Sequence, residues 1–507
     1  MKKSLRIFAL VMALMMLAIP LSACDKQDGN NSGGNVSLSD EEGFFGYHLP
    51  DGVDYEGRVL YVLSTAVAST ATCYQIDPES NPEYLGTSEL SSVLLAAKES
   101  TELVEELLNV EIEEECIYTS SRYGGPMYQR ISRDIISNTG DYIFAMPCLN
   151  EAAMLACDGL LYDLNTVVDL QNPWWCQPFN DAVTIAGKTY FATGDIGTVS
   201  KESTMFVAFN KEIEAKNHLA ESYGYKSLYE MVDNKAWTQD VMFEMAKAVF
   251  VDTNDNNEAD PDDIVGMSAQ ENIVYWLLRA GNINVCTLND EGYPELTVNN
   301  ERAISLITDA QEYVQAPDSG LIIADDYSYL KLPVNPVVQT FIDGNGLFYF
   351  NAISSLNSIR VMEDDFGVLP CPLYDETQEN YSNNVGSWTS NCVCLPTFLT
   401  EEDLVIAGQL LEALGAVNRA KLTPVFFEQT LQYQISRDDD SMRMLEIIDQ
   451  NRSPDLSEMY RWGSMMATVA SMRTLPVGTF VSQYEKYESK TLADIEATVN
   501  TFKENNN

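Results

Sequence analysis

Histidine is nearly absent from this chain of 507 residues, which has two, His48 and His218. That leaves little material for a histidine-based catalytic triad or a histidine-rich catalytic metal site. Neither a Gly-x-Ser-x-Gly elbow nor a Gly-x-x-x-x-Gly-Lys-Ser/Thr loop occurs, so the hydrolase and phosphate-cradling signatures are missing as well. Ser328-Tyr-Leu-Lys331 matches a serine-lysine tetrapeptide but lacks a companion Lys-Thr-Gly. Positive charge is scarce too, with 30 basic against 76 acidic residues and a formal charge of −46. Such a field repels nucleic acid and anionic headgroups and disfavours a strongly anionic ligand. No repeat of fixed period is present, which excludes solenoids and propellers.

What is present begins at the N-terminus. Lys2, Lys3 and Arg6 precede an apolar run from Ile7 to Ile19, followed by Leu21-Ser22-Ala23-Cys24. The run is too short to span a bilayer and its small flanking residues suit a peptidase, so residues 1–23 read as a lipoprotein signal peptide and Cys24 as the lipid-bearing (palmitate) residue. Residues 24–54 then form a lipidated, Asn-, Gly-, Ser- and Asp-rich tether that buries too little to order itself. This points to a folded body held on the outer face of a membrane by its lipid alone.

The rest of the chain is longer than one core usually supports, and 45% hydrophobic residues suffice for two. Of ten cysteines, nine remain once Cys24 is lipidated, an odd number that leaves at least one thiol unpaired. Cys148, Cys157, Cys286 and Cys371 sit in apolar surroundings, as ordinary core thiols do. Cys392-Val393-Cys394 alternates like a strand and puts both thiols on one face, but no second Cys or His cluster accompanies it to make a zinc site.

Strand and helix patterns alternate. Arg58 to Leu63 is a buried strand ending at Ser64 and Thr65, a helix runs from about Ser91 to Leu108, and Val110-Glu-Ile112 restarts a strand. Gly140-Asp141-Tyr142-Ile-Phe-Ala145 is another strand entered through a turn. The order predicts an α/β architecture with a parallel-rich sheet and ligands beyond the carboxyl ends of its strands.

Further along, Gly159-Leu-Leu-Tyr-Asp-Leu-Asn165, Asn172-Pro-Trp-Trp175, Gly187-Lys-Thr-Tyr190 and Phe209-Asn-Lys211 follow in order. So do Ala236-Trp-Thr238, Gly266-Met-Ser268, the segment with Tyr275 and Trp276, Phe341 to Asn351, Phe366-Gly-Val-Leu-Pro370 and Trp388 to Pro396. Their order resembles the extracellular solute-binding lipoproteins of bacterial ABC importers, family 1, the group that includes maltose-binding proteins. The resemblance implies a two-lobed periplasmic-binding-protein-like fold of type II, with a ligand cleft and hinge between the lobes. It places residues 55–165 plus 335–385 in the first lobe and 166–334 plus 386–507 in the second. The function implied is capture of a carbohydrate or oligosaccharide by a monomer that delivers it to ABC permease subunits, with no catalytic residue and no cofactor required. Alternatives are a sensor or adhesin on the same fold, a non-sugar solute, or a carboxylate-dependent glycosidase.

A sugar offers apolar C–H faces and a rim of hydroxyls, so its site needs aromatic platforms and directional polar groups. Tyr275, Trp276 and Trp388 are the expected platforms. Asp141, Tyr142, Ser64 and Asn351 are the expected polar neighbours at strand ends. Trp174 and Trp175 are expected to pack a loop, and Trp462, beside Arg461 and Gly463, is a weaker candidate for the cleft.

Asp252 to Asp263 carries the sharpest local chemistry. Asp252, Asn254, Asn256, Asp260 and Asp263 fall at positions 1, 3, 5, 9 and 12 of a calcium loop, with the Glu258 carbonyl at position 7. Position 6 is Asn257 rather than Gly, and Asn still reaches a left-handed turn. The expectation is a structural Ca2+; the alternative is a solvated acidic turn.

Overall fold

The computed structural model describes residues 43–67, 74–81, 91–119, 123–432 and 439–504. The leader, Cys24 and most of the tether lie outside them. Strand β1 (Arg58–Val67) is the middle of a three-stranded parallel sheet, between β2 (Val110–Thr119) and β3 (Tyr142–Met146). A strand in that place is covered on both faces, and Leu60, Val62, Leu63 and Ala66 are all buried. The helix between β1 and β2 spans Ser92–Leu108. It starts where the Ser91 hydroxyl accepts the Leu94 N–H and stops where Asn109 turns left-handed.

The second sheet has five strands: β4 (Met205–Asn210), β5 (Val265–Ala269), β8 (Leu321–Ile323), β9 (Gly346–Ala352) and β10 (Phe366–Leu369), in the order β10-β4-β9-β5-β8. A small hairpin, β6 (Cys286–Leu288) with β7 (Pro294–Leu296), stands apart. The mixed α/β, two-lobed architecture expected from the sequence is present.

The chain enters the lobes differently from the expectation. Strand β9 was assigned to the first lobe, yet it lies between β4 and β5 in the five-stranded sheet. Its residues Gly346 to Phe350 are buried on both faces, which requires the interior of a sheet, and Phe348 and Phe350 pack on Trp237 and Trp276. Strand β10 joins the same sheet against β4. Conversely, Val168, Trp174, Trp175, Ala192 and Ile196 belong, with Leu164, to the core under β1 and β2, not to the second lobe. Residues 391–396 return to that first core through bridges Cys148–Asn391, Ala192–Val393, Ala145–Cys394 and Leu161–Pro396. The Glu401–Gln432 helix then covers it with Ile406, Leu410, Leu414 and Val417. The first sheet thus keeps the chain to about residue 196 and regains it at 391.

Trp174 and Trp175 are buried as expected, with the Trp174 indole N–H donating to Glu412 at 2.6 Å. The eight cysteines among the described residues form no disulfide with one another, and burial pushes the thiols of Cys371, Cys392 and Cys394 up. No helix among the described residues is long and apolar enough to cross a membrane.

Candidate functional site

Two passages of chain between the sheets set the site. One runs from Ala192 to β4. The other passes Val385, which bridges to Thr204 just ahead of β4, and reaches Asn391, which bridges to Cys148 just after β3. Between them, Gly386 donates its N–H to Ser203 O and accepts from Ser390 N–H, closing a turn with Trp388 in it. Trp388 is 42% exposed, an unusual place for the largest side chain.

Its ring meets Tyr123 edge-on, centroids 5.4 Å apart, and the Arg461 guanidinium lies 3.6 Å over the Tyr123 ring. Tyr123 precedes the Pro126–Ser137 helix beside the first sheet. Arg461 caps the Leu456–Tyr460 helix in a left-handed conformation. Three separate stretches therefore converge on one aromatic and cationic cluster.

The support beneath is polar and buried. Glu458 accepts from Ser387 N–H and Oγ–H at 3.0 Å, and from Asn384 Nδ2 and Tyr275 O–H at 3.1 Å. Burial raises its carboxyl, with these bonds opposing. Arg279, also fully buried, donates to Asn384 Oδ1 and Ser453 Oγ and lies 4.0 Å from Asp455. Glu458 thus fixes the residue preceding Trp388, while its own helix carries Arg461. Next to this turn is a niche lined by Gln75, Met146, Thr193, Gly197, Ser200 and Asn391. The buried Thr193 Oγ1 and Asn391 Oδ1 have no hydrogen-bond partner among the described residues.

Of the expected residues, Trp388 is the one presented here. Tyr275 is fully buried with its hydroxyl spent on Glu458, and Trp276, 8% exposed, packs on Phe350. All eight residues of their helix, Ile273–Ala280, are buried, so both aromatics are core. The buried Tyr142 packs edge-on against Phe398, and the exposed Asp141 pairs with Arg130 at 3.6 Å. The Ser64 hydroxyl donates to buried Glu114, which also holds the N–H groups of Gln75, Ile76 and Asp77. Asn351 is half-buried, donating to Tyr349 Oη and accepting from Gln270 Nε2. Trp462 is buried, stacked on Tyr460 and donating to Thr498. Tyr123, Arg461, Asn391 and Glu458 were not anticipated as site residues, and only their convergence in space reveals them.

One buried acid tests the support of the Tyr123 segment. Glu151 accepts the Tyr128 N–H at 3.3 Å, at the start of the Pro126–Ser137 helix. Burial pushes its carboxyl up from the ordinary 4.5 to about 7, with the N–H groups of Tyr128 and Gly125 pulling the other way. Between these values the folded state holds a proton that the unfolded state has released, so stability falls as pH rises through the window and levels off above it. Urea unfolding from roughly pH 5 to pH 8 is expected to show a loss on the order of 3 kcal/mol that Glu151→Gln removes. Parallel pH profiles of wild type and variant would exclude this reading.

The Asp252–Asp263 loop is wound as expected, with Asp255 and Asn257 left-handed. The Asp252 carboxylate accepts the N–H groups of Asn256 and Asn257, and Asn254 Oδ1 and Asn256 Oδ1 accept from Asn256 and Glu258. Asp263 accepts from Thr253 and Asp260 N–H, while the Asn254 and Asn256 amides donate to Asp260. Among the described residues no three His, Cys, Asp or Glu side chains converge as a metal cluster.

The sequence matches no protein-family model and no curated protein. Solved structures do match. A cyclo/maltodextrin-binding protein complexed with maltotetraose shares 13% identity at a TM-score of 0.53, covering 88% of this chain and 97% of that one. The maltose-binding periplasmic protein MalE of Listeria monocytogenes, with maltose, shares 14% at 0.51 over 88% and 98%. The cyclic α-maltosyl-1,6-maltose binding protein of Arthrobacter globiformis shares 11% at 0.52 over 88% and 100%. At these identities the likeness is one of fold, and the fold of this chain is the two-lobed one of maltose-binding-type substrate-binding proteins.

Proposed function

We propose that this chain is an extracellular solute-binding protein that captures a carbohydrate by stacking and hydrogen bonding, without covalent chemistry, and presents it to an ABC importer. The observation that carries the reading is the Tyr123–Trp388–Arg461 cluster where the chain passes between the lobes. An exposed indole offers a face to sugar C–H groups, and a guanidinium beside it donates to ring hydroxyls. Fold neighbours named as maltose and maltodextrin binders support the same ligand class. Ligand held from both lobes would favour a closed form by its differential affinity, which is the form a permease would recognise. The basic leader, the short apolar run and Cys24 support lipid anchoring at the outer face of the cell membrane.

The Asp252–Asp263 loop would hold one structural calcium ion through Asp252, Asn254, Asn256, the Glu258 carbonyl, Asp260 and Asp263. Its winding and its oxygens at calcium-loop spacing support this.

A thermal-shift panel on the mature chain tests both. Maltose, maltotetraose and cyclic gluco-oligosaccharides are each added with calcium and with chelator. A rise in midpoint with one sugar series supports the ligand class; a rise with amino acids or peptides and none with sugars overturns it. Calcium is expected to raise the midpoint without sugar, and Asp252→Asn to abolish that rise. A wild type indifferent to calcium and chelator removes the ion.

A further inference from the structure

A second groove, of about 690 Å3, shares no lining residue with the aromatic cluster. Its walls are the segment from Pro173 to Pro178 packed with the first sheet, the end of the Glu401–Gln432 helix that passes from the first core to the second, and the Asp439–Gln450 helix of the second. Gly194, Asp195 and Lys201 of the first passage between the lobes complete it. The space suits a small ligand by size, but its charged side chains are already engaged with one another.

Lys201 is 2% exposed, Arg452 5% and Asp195 6%. The Lys201 ammonium donates to Asp195 Oδ1 at 2.8 Å and lies 3.8 Å from Asp449 Oδ1. Asp195 also accepts from Thr423 Oγ1 at 2.9 Å and lies 3.6 Å from the Arg419 guanidinium, both on the Glu401–Gln432 helix, where its first-sheet stretch ending at Val417 gives way to Leu422 and Phe426 of the second-sheet core. On the other side, Arg452 Nε sits 3.0 Å from Asp449, and its Nη1 donates to Ser200 Oγ at 3.1 Å. Glu428 and Glu446 stand on the rim. Ordered by contact, the chain of charges runs Arg419, Asp195, Lys201, Asp449, Arg452. It starts in the first lobe, crosses on the connecting segment and ends in the second.

Each of the two inner carboxylates is shared between two cations. Lys201 is the joint of the chain, because among the described residues its ammonium lies within 4 Å of both Asp195 and Asp449, while Arg419 acts on Asp449 and Arg452 on Asp195 from farther off. Pairs of this kind are costly to part when buried, because each charge would be left without its counter-ion. Hinged lobes, in contrast, change their angle through a few residues of connecting segment.

We propose that this ionic chain is a hinge brace that fixes the angle between the lobes and so sets the ligand-free balance of conformations. It is independent of what the aromatic cluster binds. In the conformer described, the brace and the Arg461–Tyr123 contact are formed together, so loss of the brace must lower the share of that conformer.

The test is a distance measurement on ligand-free protein. Spin labels are placed at Ile136→Cys on the first lobe and Val361→Cys on the second, both exposed, and read by pulsed electron resonance against a control lacking the introduced cysteines. Wild type should give one dominant distance. Lys201→Met should broaden it and add a second population of at least a fifth of the molecules. Arg419→Met, whose side chain is half in solvent, should give a smaller change in the same direction and keeps the test open if the buried lysine variant does not fold. Folded variants with the wild-type distribution, or a wild type already split between two distances, would overturn the brace.

Discussion

Gly463→Ala is expected to lower the unfolding free energy by about 2–5 kcal/mol, the sum of a left-handed residue gaining a Cβ and of overpacking. Gly463 has φ of +56°, and an added Cβ would stand 2.6 Å from both N and Cα of Thr491. Those are backbone atoms of the Phe480–Glu504 helix, so no side-chain rotation relieves the contact. The helix must move, and with it Phe480, Tyr484, Ile495 and Phe502, which it buries. The Gly463 N–H also donates to Asp494 on that helix at 2.8 Å. Adding Thr491→Ala should not rescue the variant, because the close backbone atoms remain. Urea unfolding should show a lower midpoint with an unchanged slope, and a loss under about 0.5 kcal/mol, the usual range of innocuous surface changes, would refute the argument. Arg461 lies in the same turn, so any surviving folded fraction should also bind sugar less well.

Why some of this was legible and some not follows from the range of each interaction. The Ser92–Leu108 helix and the start of β2 at Val110 are written in neighbouring residues, and the structure has them where the pattern put them. The sheet that β9 joins is not written there. Five consecutive buried residues demand a sheet interior but name no partner strand, and the resemblance supplied the wrong one. The same limit governs the site. Trp388 could be named because the resemblance set the stretch from Trp388 to Pro396 at the chain's return across the hinge. Tyr275 and Trp276 looked equivalent, but their helix is buried around its whole circumference, with even Arg279 enclosed by hydrogen-bond partners, so it is a core helix rather than a cleft wall. Tyr123 and Arg461 meet only because two lobes bring together segments far apart in the chain. No local pattern distinguishes Arg461 from any other arginine, although its place beside Gly463 hinted at an irregular turn.

Trp388→Ala should separate binding from folding more sharply than any other change. With 42% of its surface in solvent and its packed side on the edge of Tyr123, truncation opens the site to water rather than leaving an enclosed cavity, so the unfolding midpoint should fall far less than for a core tryptophan. Buried tryptophan anchors commonly contribute about 2 kcal/mol or more to an interface, which corresponds to a roughly 30-fold weaker complex. Titration calorimetry with maltotetraose as the probe reads this directly. Trp276→Ala supplies the opposite case. That ring is packed on Phe350 inside the second lobe, and its removal should cost about 3–5 kcal/mol of stability as a cavity. Any folded Trp276→Ala protein should keep most of its affinity, since the ring does not face the cluster. The two variants therefore assign the sugar platform by their contrast. If Trp388→Ala binds maltotetraose like wild type while a folded Trp276→Ala does not, the platform lies on the Ile273–Ala280 helix. The aromatic cluster at the lobe crossing would then be a lobe contact rather than a binding site.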